Sequence, residues 1–297
     1  MGKASRNKRT GSARDRIAAQ RAAARRAEVR NRVFLASGAV VVVIAIVVAF
    51  VVIKANKKPA KTVSNGPTGV ALAKLVDTVV AVPNSVLDKI GPGPITTGPT
   101  AVTGEPALTS GGKPEVLYIG AEYCPFCAAQ RWSMVVSLSK FGTFTNLRTI
   151  HSSSTDSYAN TPTFTFYKST YTSKYINFTS VETLTNVATS TANGAPLQTP
   201  TTAQQAVFAK LDSNGSIPFI DWGNKYSEVG NLQPFGPQDL TGKSWNQIAA
   251  ALTDPTSPIA QGVDGSANYM TAAICKLTNN QPGSACTSVI QGLEAKL

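Results

Sequence analysis

Two cysteines near the middle of the chain have the spacing of a redox-active pair. Cys124 and Cys127 are separated by Pro-Phe and follow a short apolar run, residues 116–119, that ends at Gly120. Good helix formers come after Cys127, so the pattern predicts a strand, a turn and a helix that begins with the two cysteines. The unpaired N–H groups and partial positive charge at a helix N-terminus favour a thiolate over a thiol.

This spacing predicts separate roles for the two sulfurs. Cys124 would be the exposed nucleophile, and Cys127, one turn later, would attack a mixed disulfide on Cys124 and release the product. A purely structural disulfide and half of a zinc site are the alternatives. Zinc requires further ligands nearby, but Cys275 and Cys286 are separated by ten residues and His151 is the only histidine. The pattern therefore favours redox chemistry, with no metal and no cofactor.

The other two cysteines favour a different interpretation. Cys275 lies near the end of a helix predicted for residues 259–277, and Cys286 follows a turn-forming segment. We expect a structural disulfide that ties down the last helix and stabilises the fold by about 2 to 3 kcal/mol. A relay that passes electrons to the first pair is the alternative. An even count of four cysteines is compatible with an oxidising compartment.

A second informative segment is residues 216–221 (SIPFID), which puts a proline at the head of an apolar strand, after a helix predicted for residues 201–211. Together with residues 121–127 (AEYCPFC), it resembles the thioredoxin superfamily. From about residue 70 onward, and including residues 160–167 (NTPTFTFY), the chain is similar to a membrane-anchored thioredoxin-like family of unknown function.

The resemblance implies an α/β, thioredoxin-like fold with an insertion, about residues 152–200, between the helix of the cysteine pair and the proline strand. It also implies that Pro218 is a cis proline facing the cysteines. The backbone of Ile217 would then pair with a substrate strand beside Cys124. Thr161-Pro162 is a weaker candidate for the same position.

Two departures from thioredoxin affect the expected mechanism. Thioredoxin has a buried carboxylate six residues before its first active-site cysteine, where this chain has Tyr118, which titrates too high to take a proton at neutral pH. The proton of Cys127 must go elsewhere, through water or to Glu122. The Pro125-Phe126 dipeptide resembles the glutaredoxin type, and it leaves the direction of electron flow open.

The N-terminal region has the pattern of a membrane anchor. Residues 1–32 contain eleven Lys or Arg and two acids, which is +9 of the formal net charge of +12. Residues 33–53 carry no charge over 21 positions and predict a transmembrane helix with a cytoplasmic N-terminus. A cleaved signal peptide is the alternative, but its apolar region is usually shorter. A nucleic-acid-binding arm is less favoured because no aromatic residue lies among the basic ones, and we expect no nucleic-acid partner.

The expected order of segments follows from these patterns. Residues 54–69 form a flexible spacer, residues 70–112 a helical extension with a Gly- and Pro-rich connection, and residues 113–297 the thioredoxin-like domain. The leading hypothesis is a single-pass cell-membrane protein whose extracytoplasmic domain exchanges disulfides with cysteine-containing envelope polypeptides and is reset by a redox partner. The alternative is a non-catalytic envelope protein that uses the fold as a binding platform. The oligomeric state stays open.

Overall fold

A computed structural model describes residues 63–189 and 193–297. The predicted basic tail (1–32), the predicted transmembrane helix (33–53) and the first part of the predicted spacer lie outside these residues. Within the described part, no single helix has the length and apolar character needed to cross a membrane. One bent pair of helices, Gly69–Val80 with Asn84–Ile90, meets that test by length and composition alone. Its side chains Leu75, Val79 and Leu87 are buried in the main core.

The described residues contain seven α-helices and one short 3-10 turn at Pro237–Asp239. The helices are α1 (Gly69–Val80), α2 (Asn84–Ile90), α3 (Pro125–Leu138), α4 (Thr202–Leu211), α5 (Trp245–Ala251), α6 (Pro258–Leu277) and α7 (Ser288–Glu294). The predicted helices at residues 201–211 and 259–277 correspond to α4 and α6. Thr201 begins α4 with a capping box, in which its side chain accepts from the Gln204 N–H.

Ten strands accompany the helices in the same residues. They are β1 (Thr100–Ala101), β2 (Thr109–Ser110), β3 (Lys113–Gly120), β4 (Gly142–Thr145), β5 (Arg148–His151), β6 (Pro162–Thr165), β7 (Thr170–Ser173), β8 (Asn177–Glu182), β9 (Phe219–Trp222) and β10 (Tyr226–Val229). A mixed α/β architecture is therefore confirmed.

The central sheet is mixed and has β3 in its middle. Its order is β8-β3-β9-β10-β1, with β2 paired to the start of β3. β3 runs parallel to β8 and antiparallel to β9, and β9, β10 and β1 are antiparallel in turn. Two small sheets, β4 with β7 and β5 with β6, lie outside this order.

Strand β5 pairs with β6 and not with the central sheet. One expectation about the predicted insertion is corrected. The strand beside β3 is β8, inside the segment that was expected to be an insertion (152–200). The connection before residue 113 also contributes β1 to the sheet. Alternation of side chains predicts that a segment is extended, but it does not tell which strand it pairs with.

Helix α3 carries the cysteine pair and is the most enclosed helix among the described residues. All but one of its residues are buried. Its Trp132 indole N–H donates to Pro162 O in β6, and its Ser133 hydroxyl donates to Val263 O in α6, both at 2.8 Å. A helix fixed on several sides gives the cysteines at its start a rigid position.

Candidate active site

Cys124 is the N-cap residue of α3. The backbone N–H of Cys127 donates to Cys124 Sγ at 3.2 Å, and Pro125 occupies the first helical turn. Proline fits there because its missing N–H would have no partner in the helix. Both cysteines are free. The sulfur of Cys124 therefore lies where the helix N-terminus favours a negative charge.

The two cysteines are less exposed to solvent than expected. Cys124 is 5% exposed and Cys127 is 0% exposed, so the expected exposed nucleophile is largely covered. Tyr123, Leu184 and Ile217 pack against the cysteines and supply this cover. Two of the three come from segments distant in sequence, which is why the cysteine motif alone did not predict the cover. A large disulfide substrate reaches Cys124 only if some of these side chains move.

Ile217 packs against the cysteine pair, and Pro218 follows it in the chain. Ile217 O lies 4.0 Å from Cys124 Sγ, and the Ile217–Pro218 peptide bond is cis. Pro218 O accepts from the Gly230 N–H at 2.8 Å. The weaker candidate, Pro162, is instead the first residue of β6 and is buried beside Trp132.

The two thiols have pKa values shifted in opposite directions. Hydrogen bonding from Cys127 holds the pKa of Cys124 below its ordinary value, against the effect of burial, and the charge of Arg131 adds to this lowering. Burial raises the pKa of Cys127 well above its ordinary value, and its contacts with Cys124 raise it further. Because the lower pKa belongs to Cys124, that thiol ionises first and Cys127 keeps its proton.

A buried ion pair connects the helix of the cysteine pair to strand β8. Arg131, one turn after Cys127 on α3, contacts Glu182 at the end of β8, with Nε to Oε1 at 2.8 Å and Nη2 to Oε2 at 2.7 Å. Both side chains are 0% exposed. Arg131 Nη2 also donates to Ala121 O at 2.7 Å. Sequence reasoning missed both residues, although a lone charged residue in a run of small and apolar ones after Cys127 was an available signal.

Tyr118 lies beside this ion pair. The Arg131 guanidinium carbon is 5.9 Å from the Tyr118 ring centroid. The Tyr118 hydroxyl is buried and has no hydrogen-bond partner among the described residues. Burial raises the pKa of Tyr118 well above its ordinary value, although the charge of Arg131 opposes this. Tyr118 therefore stays neutral at physiological pH, as its residue type indicated.

Glu122, which was expected beside water as a possible acceptor of the Cys127 proton, is a buried residue between β3 and α3. Its Oε1 accepts from the Thr165 hydroxyl at 2.6 Å, and its backbone N–H donates to Leu184 O at 2.9 Å. The carboxylate is thus held toward β6, and its backbone is tied to the segment that covers Cys124.

A chain of polar side chains reaches the Pro-Phe dipeptide from the other side. Asn231 Nδ2 donates to Phe126 O at 3.0 Å and to Gln130 Oε1 at 2.7 Å. Gln130 in turn donates to Glu228 Oε1. Burial raises the pKa of Glu228 to about 8, so this carboxyl is largely protonated at neutral pH. The network fixes the backbone between the cysteines, and sequence patterns gave no signal for it.

The remaining two cysteines are bonded to each other. Cys275 and Cys286 form a disulfide with an S–S distance of 1.96 Å that connects α6 to the segment before α7. Both are buried in the main core, whereas Cys124 and Cys127 belong to a separate small cluster. His151 lies beside the Trp245 ring at 4.3 Å between centroids, and burial lowers its pKa. In the described part of the chain, no group of three or more His, Cys, Asp or Glu side chains is placed to hold a metal ion.

The site thus belongs to a mixed α/β protein with a cysteine pair at the start of its central helix. A family model described as a domain of unknown function, DUF929, matches residues 101–213. That range includes Cys124, Cys127 and Glu182 and ends before Pro218. No curated protein and no solved structure matches the chain.

Proposed function

We propose that this chain is a membrane-anchored, extracytoplasmic thiol-disulfide oxidoreductase with a thioredoxin-like fold. The observation that carries the proposal is the meeting of three groups: the N-cap sulfur of Cys124, the neighbouring thiol of Cys127, and the carbonyl of Ile217 at 4.0 Å from Cys124 Sγ. A structural disulfide requires neither a helix N-terminus nor an adjacent strand start.

The sheet supports the thioredoxin-like part of the proposal. Strand β3 is parallel to β8 and antiparallel to β9, and α3 lies in the connection from β3 to β8. The cysteines follow β3 and Pro218 directly precedes β9, so adjacent strands of one sheet bring the two segments together, as a thioredoxin-like fold would. The resemblance of residues 121–127 and 216–221 points to the same fold.

The chemistry follows from the order of ionisation. The Cys124 thiolate attacks one sulfur of a substrate disulfide, which forms a mixed disulfide and releases the other sulfur as a thiolate. Cys127 then loses its proton and attacks Cys124 Sγ, which releases the second substrate sulfur and leaves the Cys124–Cys127 disulfide. The substrate gains two electrons and the pair loses two. A redox partner resets the pair, and the reverse sequence oxidises a dithiol substrate.

Arg131 and Glu122 assist this sequence in the proposal. Arg131 carries a buried positive charge near both sulfurs, and that charge lowers the pKa of Cys124 and opposes the rise at Cys127. Tyr118 keeps its own proton at neutral pH and cannot accept the proton of Cys127, so Glu122 or water takes it. The peptide backbone at Ile217 would hold the substrate chain extended beside Cys124.

The proposed substrates are cysteine-containing polypeptides of the cell envelope. This part of the proposal follows from the sequence: a basic tail and an uncharged stretch at residues 33–53 would leave the C-terminal part outside the cytoplasm. The Cys275–Cys286 disulfide agrees with an oxidising compartment.

An equilibrium redox titration of the whole chain tests the proposal. Mass-tagged alkylation would report the oxidation state of Cys124 and Cys127 at each glutathione ratio, with the Cys275–Cys286 bond as an internal reference. We expect a reversible midpoint for the first pair between about −270 and −120 mV, the range of thioredoxin-type proteins. A pair that never oxidises or reduces in the folded protein would contradict the proposal.

A non-catalytic binding platform is the second candidate, and one observation favours it: Cys124 is only 5% exposed. Trapping separates the two functions. In the oxidoreductase, Cys127→Ser leaves Cys124 without its resolving partner, so mixed disulfides accumulate when the Cys124 thiolate attacks an unfolded model protein that contains disulfides. In a platform, the same variant accumulates none, while Cys124→Ser still binds its partner.

A further inference from the structure

Strand β8 forms one outer edge of the central sheet among the described residues. The Thr183 N–H, just after the strand, donates to Gly120 O at 2.8 Å, and this register turns the backbone groups of Asn177, Thr179 and Val181 toward β3. Backbone groups of successive strand residues point to opposite sides. The N–H and C=O groups of Phe178, Ser180 and Glu182 therefore point away from β3.

Only one end of this edge is paired. The Gln198 N–H donates to Glu182 O at 2.9 Å, and the Glu182 N–H donates to Gln198 Oε1 at 2.8 Å. Residues 195–198 run antiparallel to β8 there, and the chain then leaves the edge through Pro200 into α4. The outward backbone groups of Phe178 and Ser180 have no hydrogen-bond partner within the described residues. An open edge of this kind is a template for a further strand.

A cavity of about 480 Å³ opens along the unpaired part of the edge. The Phe166 and Phe178 rings, 5.1 Å apart, give it an apolar wall, and Ser169 and Thr170 add hydroxyl groups. Among the described residues that line it, Lys168 is the only charged one. The cavity thus offers space, apolar contact and one positive charge beside a row of free backbone groups.

We propose that the β8 edge at Phe178 and Ser180 binds an extended peptide as an added strand, with an acidic side chain of the peptide at Lys168. Free donor–acceptor pairs two residues apart match the repeat of a peptide backbone. Strand addition takes its affinity from these hydrogen bonds and its specificity from side-chain pockets. The added strand continues the line on which residues 195–198 already pair with Glu182.

This peptide site is distinct from the Cys124 surface, and the inference does not rest on the proposed redox function. Peptide binding to a Cys124→Ser/Cys127→Ser double variant is therefore expected to equal that of the unaltered chain. The two sites share one element, because Glu182 at the end of β8 is the buried partner of Arg131.

The test uses selection of binders from a random nonapeptide display library by the whole 297-residue chain, followed by fluorescence anisotropy with the selected peptides. Ser180→Pro removes the outward N–H, and proline is tolerated on an edge strand where that N–H faces away from the sheet. We expect Ser180→Pro to weaken binding at least tenfold, while Ser180→Ala, which keeps the N–H, binds normally. Lys168→Glu should weaken the binding of acidic peptides.

N-methylation of alternate peptide amides supplies a test that does not depend on the folding of a variant. Methyl groups on one set of alternate amides should abolish binding, and methyl groups on the other set should leave it unchanged, because only one set faces β8. Failure to enrich any peptide, or equal binding by both methylated sets, would overturn the proposal. A dimer that Ser180→Pro dissociates would overturn it too, because the edge would then bind a second copy of this chain.

Discussion

The two cysteine pairs of this chain have opposite environments, although both lie at the end of a helix. Cys124 and Cys127 are free, lie at a helix N-terminus and have pKa values pushed apart. Cys275 and Cys286 are bonded to each other and buried among apolar side chains of the main core. The difference shows that position on a helix and nearby charge, more than burial alone, separate a pair suited to exchange from a pair suited to cross-linking.

Removal of the nucleophile should have the largest effect. We expect Cys124→Ser to lower the rate of disulfide exchange with a model peptide by at least about three orders of magnitude, because a hydroxyl does not replace a thiolate. Thermal unfolding of this variant should be nearly unchanged. The matched control is Cys275→Ser/Cys286→Ser, which should keep its exchange rate at a temperature where it is folded. Loss of exchange in the control as well would mean that the two pairs act as a relay.

The Arg131–Glu182 ion pair is expected to have the next largest effect. Arg131→Met leaves Glu182 buried without its partner, which should cost about 3 to 5 kcal/mol in the free energy of unfolding, measured by urea denaturation. It should also raise the pKa of Cys124, because the charge of Arg131 contributes to lowering that pKa. Thiolate absorbance as a function of pH measures this rise.

A double variant separates the two effects of Arg131. Arg131→Met/Glu182→Leu removes both charges and should recover most of the lost stability. The pKa of Cys124 should stay raised in it, because the charge of Arg131, which helps to lower that pKa, is still missing. If the pKa of Cys124 returned to its original value, the ion pair would have only a structural role.

The second disulfide should matter for stability and little for exchange. Cys275→Ala/Cys286→Ala opens a link between residues 11 positions apart, which should lower the free energy of unfolding by about 2 to 3 kcal/mol. Denaturant midpoints of the oxidised chain and the variant measure the loss. An unchanged midpoint would show that the fold near α7 holds without the bond.

The pH dependence of alkylation should distinguish the two thiols of the first pair. The pKa of Cys124 is lowered, so its thiolate fraction rises as the pH increases through a value below the ordinary thiol pKa. The pKa of Cys127 is raised, so Cys127 should react only at a higher pH. Iodoacetamide followed by peptide mass mapping measures both rates in the reduced chain. Equal pH midpoints for the two thiols would contradict this difference in pKa. In denaturant, the two midpoints should become equal.

The sequence predicted those parts of the site that are local in the chain. The helix start at Cys124, helix α4 and the strand at Phe219 follow from patterns that span a few residues. The ion pair could not be predicted, because Arg131 and Glu182 are 51 positions apart and meet only when β8 pairs with β3. The cover over Cys124 was missed for the same reason, since Leu184 reaches it from the far end of β8.

The smallest effect is expected at Tyr118, the residue at the position where thioredoxin has a carboxylate. The Tyr118→Phe variant tests whether Tyr118 helps to carry the proton of Cys127. The Tyr118 hydroxyl has no hydrogen-bond partner in the described part of the chain, so Tyr118→Phe removes a buried polar atom at little cost. We expect stability to change by less than about 1 kcal/mol and the exchange rate to stay the same. Stopped-flow measurement of the resolving step should show no slowing in Tyr118→Phe.

Glu122→Gln is the informative counterpart to Tyr118→Phe. It keeps the acceptor oxygen that Thr165 contacts but loses the basic carboxylate, so the resolving step should slow if Glu122 takes the Cys127 proton. The slowing should appear in the release of product from the mixed disulfide and not in the first attack by Cys124. If Tyr118→Phe slows that step and Glu122→Gln does not, the buried hydroxyl is part of the proton path. If neither does, water carries the proton.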